Sequence, residues 1–384
     1  MNPIMKLIVF ICLFISFNAH SWTQDSVSLF NESNNKYLHL ENPGMVTLWG
    51  GVRRLLKDET TKGELKTYKS SLYLENEFTY YLFQSQENSK LTVFFPGVFG
   101  EVDGVISPSV ISLIEKQPTD VLVIPNFLSL NYIKSFPKYK DFNFDLDFKI
   151  SVALIKKILS TKDYSKLNFV AESLGTMVAA GSLKEISHVY AGEINSFLMW
   201  PPINIKDAIN NFDLGIKRTL KDYNQCGIFI NSLKIFKNFI WDEIPQNMDL
   251  DFIKCMNSYM YHFAFVRPIK NNFKEYAKIT KRKFKVLPDD FYSFLESYNP
   301  KFAQMIQENP KVLSLSHWLQ QRNFKNTKIN IVSSQNDFLN KDLNWDSVLN
   351  DAKINSQDFY LFQWGSHSGP LGLDIWEEVF KNEL

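Results

Sequence analysis

The sequence is poor in cysteine and carries almost no net charge. Cysteine occurs three times in 384 residues, and the chain shows neither the ligand spacing of a zinc site nor a glycine-rich phosphate loop. The formal net charge is +1, so the chain lacks the basic footprint that binds nucleic acid. We therefore expect no metal, no organic cofactor and no nucleic-acid partner.

Long apolar runs are also scarce. An eleven-residue run, residues 7–17, follows Lys6 and precedes a small-x-small triplet that ends at Ser21. This run is too short to span a bilayer, but the layout is typical of a secretory signal. We predict that residues 1–21 are a signal peptide, with an uncleaved anchor as the alternative. The protein is then secreted or placed in a bacterial periplasm or envelope; the final tetrapeptide KNEL leaves the ER lumen as the alternative.

Cleavage would leave two cysteines, Cys226 and Cys255. In an oxidising compartment such a pair can form a disulfide, which would stabilise the fold by about 3 kcal/mol. The alternative is two unpaired buried thiols, because the sequence does not show that the two side chains meet. Of these two possibilities, we expect the disulfide.

Buried strands alternate with helices over most of the chain. The runs KLTVFF, DVLV, KLNFVAES and INSFLMW lack polar alternation, and segments with helical spacing separate them. This pattern predicts an α/β fold with a mostly parallel central sheet flanked by helices. It stops near residue 203 and resumes with KINIVSS and DFYLFQW. We therefore predict a mainly helical insertion, residues 203–326, between two parts of the core, residues 22–202 and 327–384.

One serine stands where a predicted strand meets a predicted helix. In the segment NFVAESLGTMVAAG, Ser173 has Ala171 two residues before it and Gly175 two residues after it. A tight strand-to-helix turn excludes larger side chains at those two positions and exposes the serine hydroxyl at the sheet edge. The start of the helix favours negative charge that develops there. We predict that Ser173 is a nucleophile, with a chance occurrence of this short pattern as the alternative.

A nucleophilic serine needs a base, and the base needs an acid that orients it. Among six histidines, His367 lies in the glycine-rich segment WGSHSGPLG, directly after the last predicted strand. Asp337 follows the preceding strand, and Asp207 follows an earlier one. We predict His367 as the base and Asp337 as the acid. Asp207 is the runner-up, and a capping role is the alternative for Asp337.

From about residue 90 to its C-terminus the sequence resembles the alpha/beta-hydrolase superfamily. The resemblance rests on the segments AESLG, SSQNDFL, WGSHSG and FFPGVFG, and on the chain order serine, acid, histidine. It implies an alpha/beta-hydrolase fold in which the insertion is a cap over the site. It also implies two backbone N–H donors for an oxyanion, on Val98 and Leu174. Pro96 stands where the family usually has a histidine, and Ala171 where it usually has glycine.

The resemblance implies a serine hydrolase that cleaves a carboxylic ester through an acyl-enzyme, with a small or lipid-like acyl substrate. A peptidase, a thioesterase or an acyltransferase would use the same triad, and a non-catalytic binding protein is the alternative from another class. The insertion also holds a basic segment, residues 267–285, with eight cations and one anion. We expect a solvated basic helix, with peripheral contact with anionic lipid or contact with an acidic substrate as the alternatives. The oligomeric state is left open.

Overall fold

A computed structural model of the chain describes eleven stretches and seven single positions. They are residues 62–68, 77–98, 100, 107–135, 144–226, 255, 258, 262–281, 290–310, 314–320, 326–334, 337–340, 343, 348, 350, 359–362, 367 and 375–384. The predicted signal peptide, residues 1–21, lies outside the described residues.

Eight strands form one sheet at the centre of the described chain. Most of them are continuous runs of buried residues, as expected for strands covered on both faces. The strands are β1 (Glu64–Tyr68), β2 (Phe78–Phe83), β3 (Lys90–Phe95), β4 (Asp120–Val123), β5 (Lys166–Glu172), β6 (Glu193–Met199), β7 (Thr327–Ser334) and β8 (Phe359–Phe362).

The strand order across the sheet is β1-β2-β4-β3-β5-β6-β7-β8. β1 and β2 pair antiparallel, and β2 also pairs antiparallel with β4, whereas every pairing from β4 to β8 is parallel. Because the parallel strands run the same way, their carboxyl ends meet at one edge of the sheet. The prediction of a mostly parallel central sheet is confirmed.

Helices cover the sheet and make up the described part of the insertion. A π-helical turn, His262–Val266, and a 3₁₀ turn, Phe338–Asn340, accompany the α-helices. The α-helices are α1 (Ser107–Glu115), α2 (Leu130–Ser135), α3 (Phe144–Leu159), α4 (Gly175–Ser187), α5 (Ile205–Gln225), α6 (Arg267–Thr280), α7 (Phe291–Tyr298), α8 (Pro300–Glu308), α9 (Leu315–Gln320) and α10 (Ile375–Glu383).

Side chains that alternate along each strand feed two hydrophobic cores, one on each face of the sheet. On β5, Phe169 and Ala171 join the larger core, and Val170 joins the smaller one. The smaller core packs α1 and α10 against the sheet and contains Trp200 and Trp376, whose rings meet edge to face at 5.9 Å. The sheet is thus a rigid, doubly covered platform for its loops.

The described part of the insertion is helical. α5 to α9 and the π-helical turn all fall within residues 203–326, and an isolated bridge joins Asn204 to Ser314 near its two ends. None of the helices in the described stretches combines the length and the apolar character that a membrane crossing requires. The role of this insertion as a cap stays a prediction.

Candidate active site

The sheet topology points to one place for a site. β3 lies between β4 and β5, so the chain leaves β3 toward one side of the sheet and later continues on the other side. In open α/β sheets, ligands bind outside the carboxyl ends of the strands at such a switch point. Ser173 directly follows β5 at this edge.

Ser173 adopts the left-handed backbone conformation that a tight turn requires. Its φ is 51°, a region that costs a non-glycine residue about 1–2 kcal/mol. Two neighbours hold it there. The Ser173 N–H donates to the Met199 carbonyl at 2.8 Å, and the Thr176 N–H donates to the Ser173 carbonyl at 3.0 Å. The surrounding structure therefore maintains a strained residue at the point where the hydroxyl is presented.

Close contacts require glycine at position 175 and leave little space at Gly97. A Cβ atom on Gly175 would lie 2.2 Å from the Phe95 carbonyl oxygen and 2.6 Å from that of Pro96. A Cβ atom on Gly97 would lie 3.2 Å from the Ser173 Cβ. The end of β3 thus packs directly against the turn, and Gly97 is a neighbour of the serine side chain.

The structure brings Ser173, His367 and Asp337 together. The His367 Nε2 lies 2.7 Å from the Ser173 Oγ, and the His367 Nδ1 lies 3.1 and 3.2 Å from the two Asp337 carboxylate oxygens. A carboxylate can only accept, so Nδ1 donates to it and Nε2 is left to accept the serine proton. The His367 and Asp337 side chains are only 4% and 1% exposed, so little solvent competes for these bonds.

Asp337 is held by further donors that the sequence interpretation did not anticipate. The Leu339 N–H donates to one carboxylate oxygen at 3.0 Å, and the Asn340 amide donates to the other at 2.9 Å. The same amide donates to the Pro201 carbonyl at 2.8 Å, while its oxygen accepts from the Ile203 N–H at 3.0 Å. Asn340 therefore ties the acid to the segment that follows β6. In the sequence, the signal for this role is the position of Asn340 three residues after Asp337.

The runner-up acid lies elsewhere. Asp207 is an exposed residue in the first turn of α5. Asp337 occupies the position next to His367 and, through the Leu339 N–H, also serves the capping role that was its alternative.

The two expected oxyanion donors lie on either side of the serine turn. Leu174 follows Ser173 and is the N-cap of α4, so its N–H lies at the positive end of a helix. Val98 follows Gly97, the residue that packs against Ser173. Within the described part of the chain, neither amide N–H donates a hydrogen bond. Their role as donors stays a prediction.

Two further expectations concern the cysteine pair and metal ligands. Cys226 and Cys255 form the expected disulfide, with a Cα–Cα distance of 5.7 Å. Over the described residues, no group of three or more His, Cys, Asp and Glu side chains is arranged to hold a metal ion.

Comparisons with known proteins give structural likeness without sequence relatives. The sequence matches no family model and no curated protein. An acylaminoacyl peptidase from Pyrococcus horikoshii aligns with 85% of this chain at 12% identity and a TM-score of 0.46, and the chain spans only 41% of its length. An esterase from Pyrococcus furiosus aligns over 85% of this chain and 90% of its own, at 12% identity and a TM-score of 0.45. Est1E from Butyrivibrio proteoclasticus aligns over 84% of this chain and 97% of its own, at 9% identity and a TM-score of 0.45.

The architecture and the turn at Ser173 decide the fold. An eight-stranded, mostly parallel sheet carries a strand, a serine in left-handed conformation and a helix, in that order, and the serine, acid and histidine follow β5, β7 and β8. The chain has the alpha/beta-hydrolase fold. The expected fold is confirmed. The departures at Pro96 and Ala171 leave the backbone turn intact.

An aromatic cluster connects the histidine of this alpha/beta-hydrolase fold to the insertion through Phe338, a residue of the core. The Phe338 ring meets the His367 ring edge to face at 5.7 Å, and the Phe212 ring of α5 stacks on Phe338 at 6.4 Å. Phe212 also packs edge to face against Phe265 and Phe291, at 5.0 and 5.3 Å. The surroundings of the imidazole on this side are therefore apolar, which strengthens its bond to Asp337.

A buried carboxyl group contacts the loop between β4 and α2. Asp147 of α3 accepts from the Phe127 N–H at 3.2 Å. Burial raises the pKa of Asp147 from 3.8 to about 7, although hydrogen bonds from Tyr132 and the Phe127 N–H lower it in part. The pKa of Tyr132 is raised well above its ordinary value by burial and by the nearby Asp147. This cluster supports the β4–α2 loop, residues 124–129.

Proposed function

We propose that this chain is a serine hydrolase that cleaves a carboxylic ester through a covalent acyl-enzyme. The observation that carries the proposal is the continuous hydrogen-bonded series from the Ser173 hydroxyl through His367 to Asp337. A serine placed on a strained turn, next to a base that an acid orients, is the arrangement that activates a hydroxyl for attack on acyl carbon.

The first half of the reaction forms the acyl-enzyme. His367 Nε2 removes the Ser173 proton as Oγ bonds to the carbonyl carbon, and the carbonyl oxygen becomes an oxyanion. The Val98 and Leu174 N–H groups hold this oxyanion, each worth about 3 kcal/mol to the transition state. The carbon–oxygen bond to the alcohol then breaks, and the leaving oxygen takes the proton from His367.

The second half releases the acid. His367 removes a proton from water as the water oxygen bonds to the acyl carbon, and a second oxyanion forms at the same donors. The bond to Ser173 Oγ then breaks, and the Oγ recovers the proton from His367. One ester and one water thus give one carboxylic acid and one alcohol, while Asp337 stays ionised and stabilises the imidazolium in both halves.

We further propose an apolar substrate group, acyl or alcohol. The support is the aromatic cluster of Phe338, Phe212, Phe265 and Phe291, which extends from the imidazole into the insertion. A polar substituent placed against these rings would lose hydrogen bonds to water without gaining new ones. The insertion then acts as a cap that excludes water from the reacting atoms.

Substrate panels test the proposal. We expect p-nitrophenyl esters to be hydrolysed with kcat/KM rising as the acyl chain lengthens from acetate, because each added methylene buries more apolar surface. Peptide anilides and acyl thioesters should react at least tenfold more slowly. Ser173→Ala should abolish turnover, whereas Ser182→Ala, at a serine fully buried on α4, should retain it. Activity confined to anilides or thioesters would replace the esterase assignment, and activity in Ser173→Ala would contradict the mechanism.

We also propose peripheral contact with an anionic membrane surface through α6. Its cations recur at helical spacing on one face, at Arg267, Lys270, Lys274 and Lys278, and Lys281 follows as the C-cap. Four of these five residues are exposed. The opposite face is buried, and its Asn272 donates to the Leu128 carbonyl in the loop that follows β4. Cations presented together on such a face are attracted to anionic lipid.

Vesicle sedimentation tests this contact. Vesicles of phosphatidylglycerol and phosphatidylcholine should sediment the protein in low salt, and vesicles of phosphatidylcholine alone should not. The double variant Lys274→Glu/Lys278→Glu should lose binding. Lys66→Glu/Lys156→Glu, which changes the net charge equally at two exposed lysines elsewhere, should keep it. Equal binding to both vesicles, or equal loss in both variants, would show that α6 makes no specific contact. Such a contact accords with the proposal that the protein is exported.

A further inference from the structure

A buried amide holds the end of β3 beside the serine turn. Asn126 lies in the β4–α2 loop and is 2% exposed. Its side-chain nitrogen donates to the Gly97 carbonyl at 2.9 Å and to the Pro96 carbonyl at 3.1 Å. Its side-chain oxygen accepts from the Leu128 N–H at 3.0 Å. Both ends of this amide are thus committed to backbone groups.

The Gly97 carbonyl and the Val98 N–H belong to the same peptide unit. A peptide unit is planar and trans, so its C=O and N–H bonds point in opposite directions. A donor that fixes the direction of the Gly97 carbonyl therefore also fixes the direction of the Val98 N–H. We infer that Asn126 is a positioning residue that aims the Val98 N–H at the oxyanion. This inference rests on the proposed hydrolase function.

The sheet itself does not hold this peptide unit. The ladder between β3 and β5 ends with the pair Phe95 and Ala171. Pro96 has no N–H and cannot extend the ladder. Beyond it, the Gly97 carbonyl accepts from the Asn126 amide and from the Gly100 N–H at 2.9 Å. Within the part of the chain that the structure describes, Asn126 is thus one of two groups that hold the carbonyl of a turn lying against Ser173.

The loop that carries Asn126 is fixed by neighbouring helices. Tyr298 of α7 donates its hydroxyl to the Phe127 carbonyl at 3.1 Å, and Asn272 of α6 donates to the Leu128 carbonyl at 3.0 Å. Asp147 of α3 accepts from the Phe127 N–H. The contacts from α6 and α7 come from the insertion. The insertion therefore braces the residue that orients the oxyanion donor.

Asn126→Asp is the most direct test. It keeps the size of the side chain and an oxygen for the Leu128 N–H, but it sets a carboxylate oxygen against two carbonyl oxygens in place of a donor. Because oxyanion donors act in the transition state, we expect kcat to fall 10- to 100-fold while KM stays within about twofold of wild type. Asn126→Ser, which is smaller and brings no negative charge to the turn, should show a fall in the same direction.

The control is Asn330, another fully buried asparagine whose amide donates to a backbone carbonyl, that of Ser196 at 3.1 Å. Asn330→Asp should lower stability but leave kcat near the wild-type value. Turnover is divided by the number of sites titrated with a fluorophosphonate, so a partly unfolded preparation still gives kcat for its folded fraction. Inert wild-type protein would reject the hydrolase proposal itself. Active wild type with unchanged kcat in both Asn126 variants, or an equal fall in Asn330→Asp, would overturn the inference.

Discussion

Single residues at the turn of Ser173 have little steric freedom. Ser173 holds a positive φ, and Gly175 backs onto two carbonyl oxygens at the end of β3. The strain and the close packing support each other, because the hydroxyl is presented only if β3 and α4 can approach this closely. A residue larger than glycine at position 175 must therefore move backbone rather than a side chain.

Gly175→Ala should lower the free energy of unfolding by about 3 kcal/mol, since its Cβ would overlap the Phe95 and Pro96 carbonyls. The control is Gly192→Ala, where the added Cβ would meet the ring end of the Tyr190 side chain, so a side chain rather than backbone has to move. Urea unfolding of both variants measures the difference. Equal destabilisation would show that β3 does not press on the turn.

Asn340 offers a second test at the scale of one residue. Asn340→Ala removes one donor to the Asp337 carboxylate, and we expect kcat to fall about tenfold because the imidazolium is then less well oriented and stabilised. Asn211→Ala is the matched control, since its amide donates at 3.2 Å to the Leu339 carbonyl of the same 3₁₀ turn without touching the carboxylate. A similar fall in both variants would assign the effect to the turn rather than to the acid.

The sequence predicts the three residues at the site and favours Asp337 as the acid, but it does not exclude Asp207. Ser173, Asp337 and His367 each follow a recognisable strand. Asp207 also follows a strand, and because β6 and β7 are neighbours, both aspartates start from the same edge of the sheet. Only the path of the chain after each strand separates them, and periodicity carries no information about that path.

At the scale of elements, continuous apolar runs predict the parallel strands because both faces of the sheet are covered. The connections made by buried amides are not predictable in this way. Asn340 and Pro201 are 139 residues apart, and Asn126 and Gly97 are 29 apart. No local pattern in the sequence relates such positions, since their proximity results from the order of strands in the sheet.

The packing of α3 against the β4–α2 loop should make stability depend on pH. The folded-state pKa of Asp147, about 7, lies above the ordinary value of 3.8. The folded protein therefore binds more protons than the unfolded chain between these values, so stability is lost as pH rises through this window. Asp147→Asn cannot titrate and still accepts from Phe127.

We expect Asp147→Asn to gain about 2 kcal/mol relative to wild type when the pH is raised from 5 to 8. Urea unfolding of both proteins at the two pH values measures this, and subtraction cancels the other titrating groups. Tyr132 and Tyr298, which face Asp147, stay neutral in this range because burial raises the pKa of each. A difference that does not change with pH would show that Asp147 is ionised in the folded protein throughout.

At the scale of the whole molecule, the site forms because distant parts of the chain meet at one edge of the sheet. Ser173 and His367 are 194 residues apart, and the helical insertion lies between them in the sequence. The insertion returns to the same edge through Tyr298 and Asn272, so the chain that separates the triad members also braces the loop beside them.

The most direct measurement is the site of covalent labelling. A fluorophosphonate reacts only with a serine whose hydroxyl is activated by a base, so peptide mapping of the labelled protein should place the whole modification on Ser173. His367→Ala should lose labelling although Ser173 is still present. Labelling at another serine, labelling of Ser173 that persists in His367→Ala, or no reaction with folded wild-type protein would contradict the account.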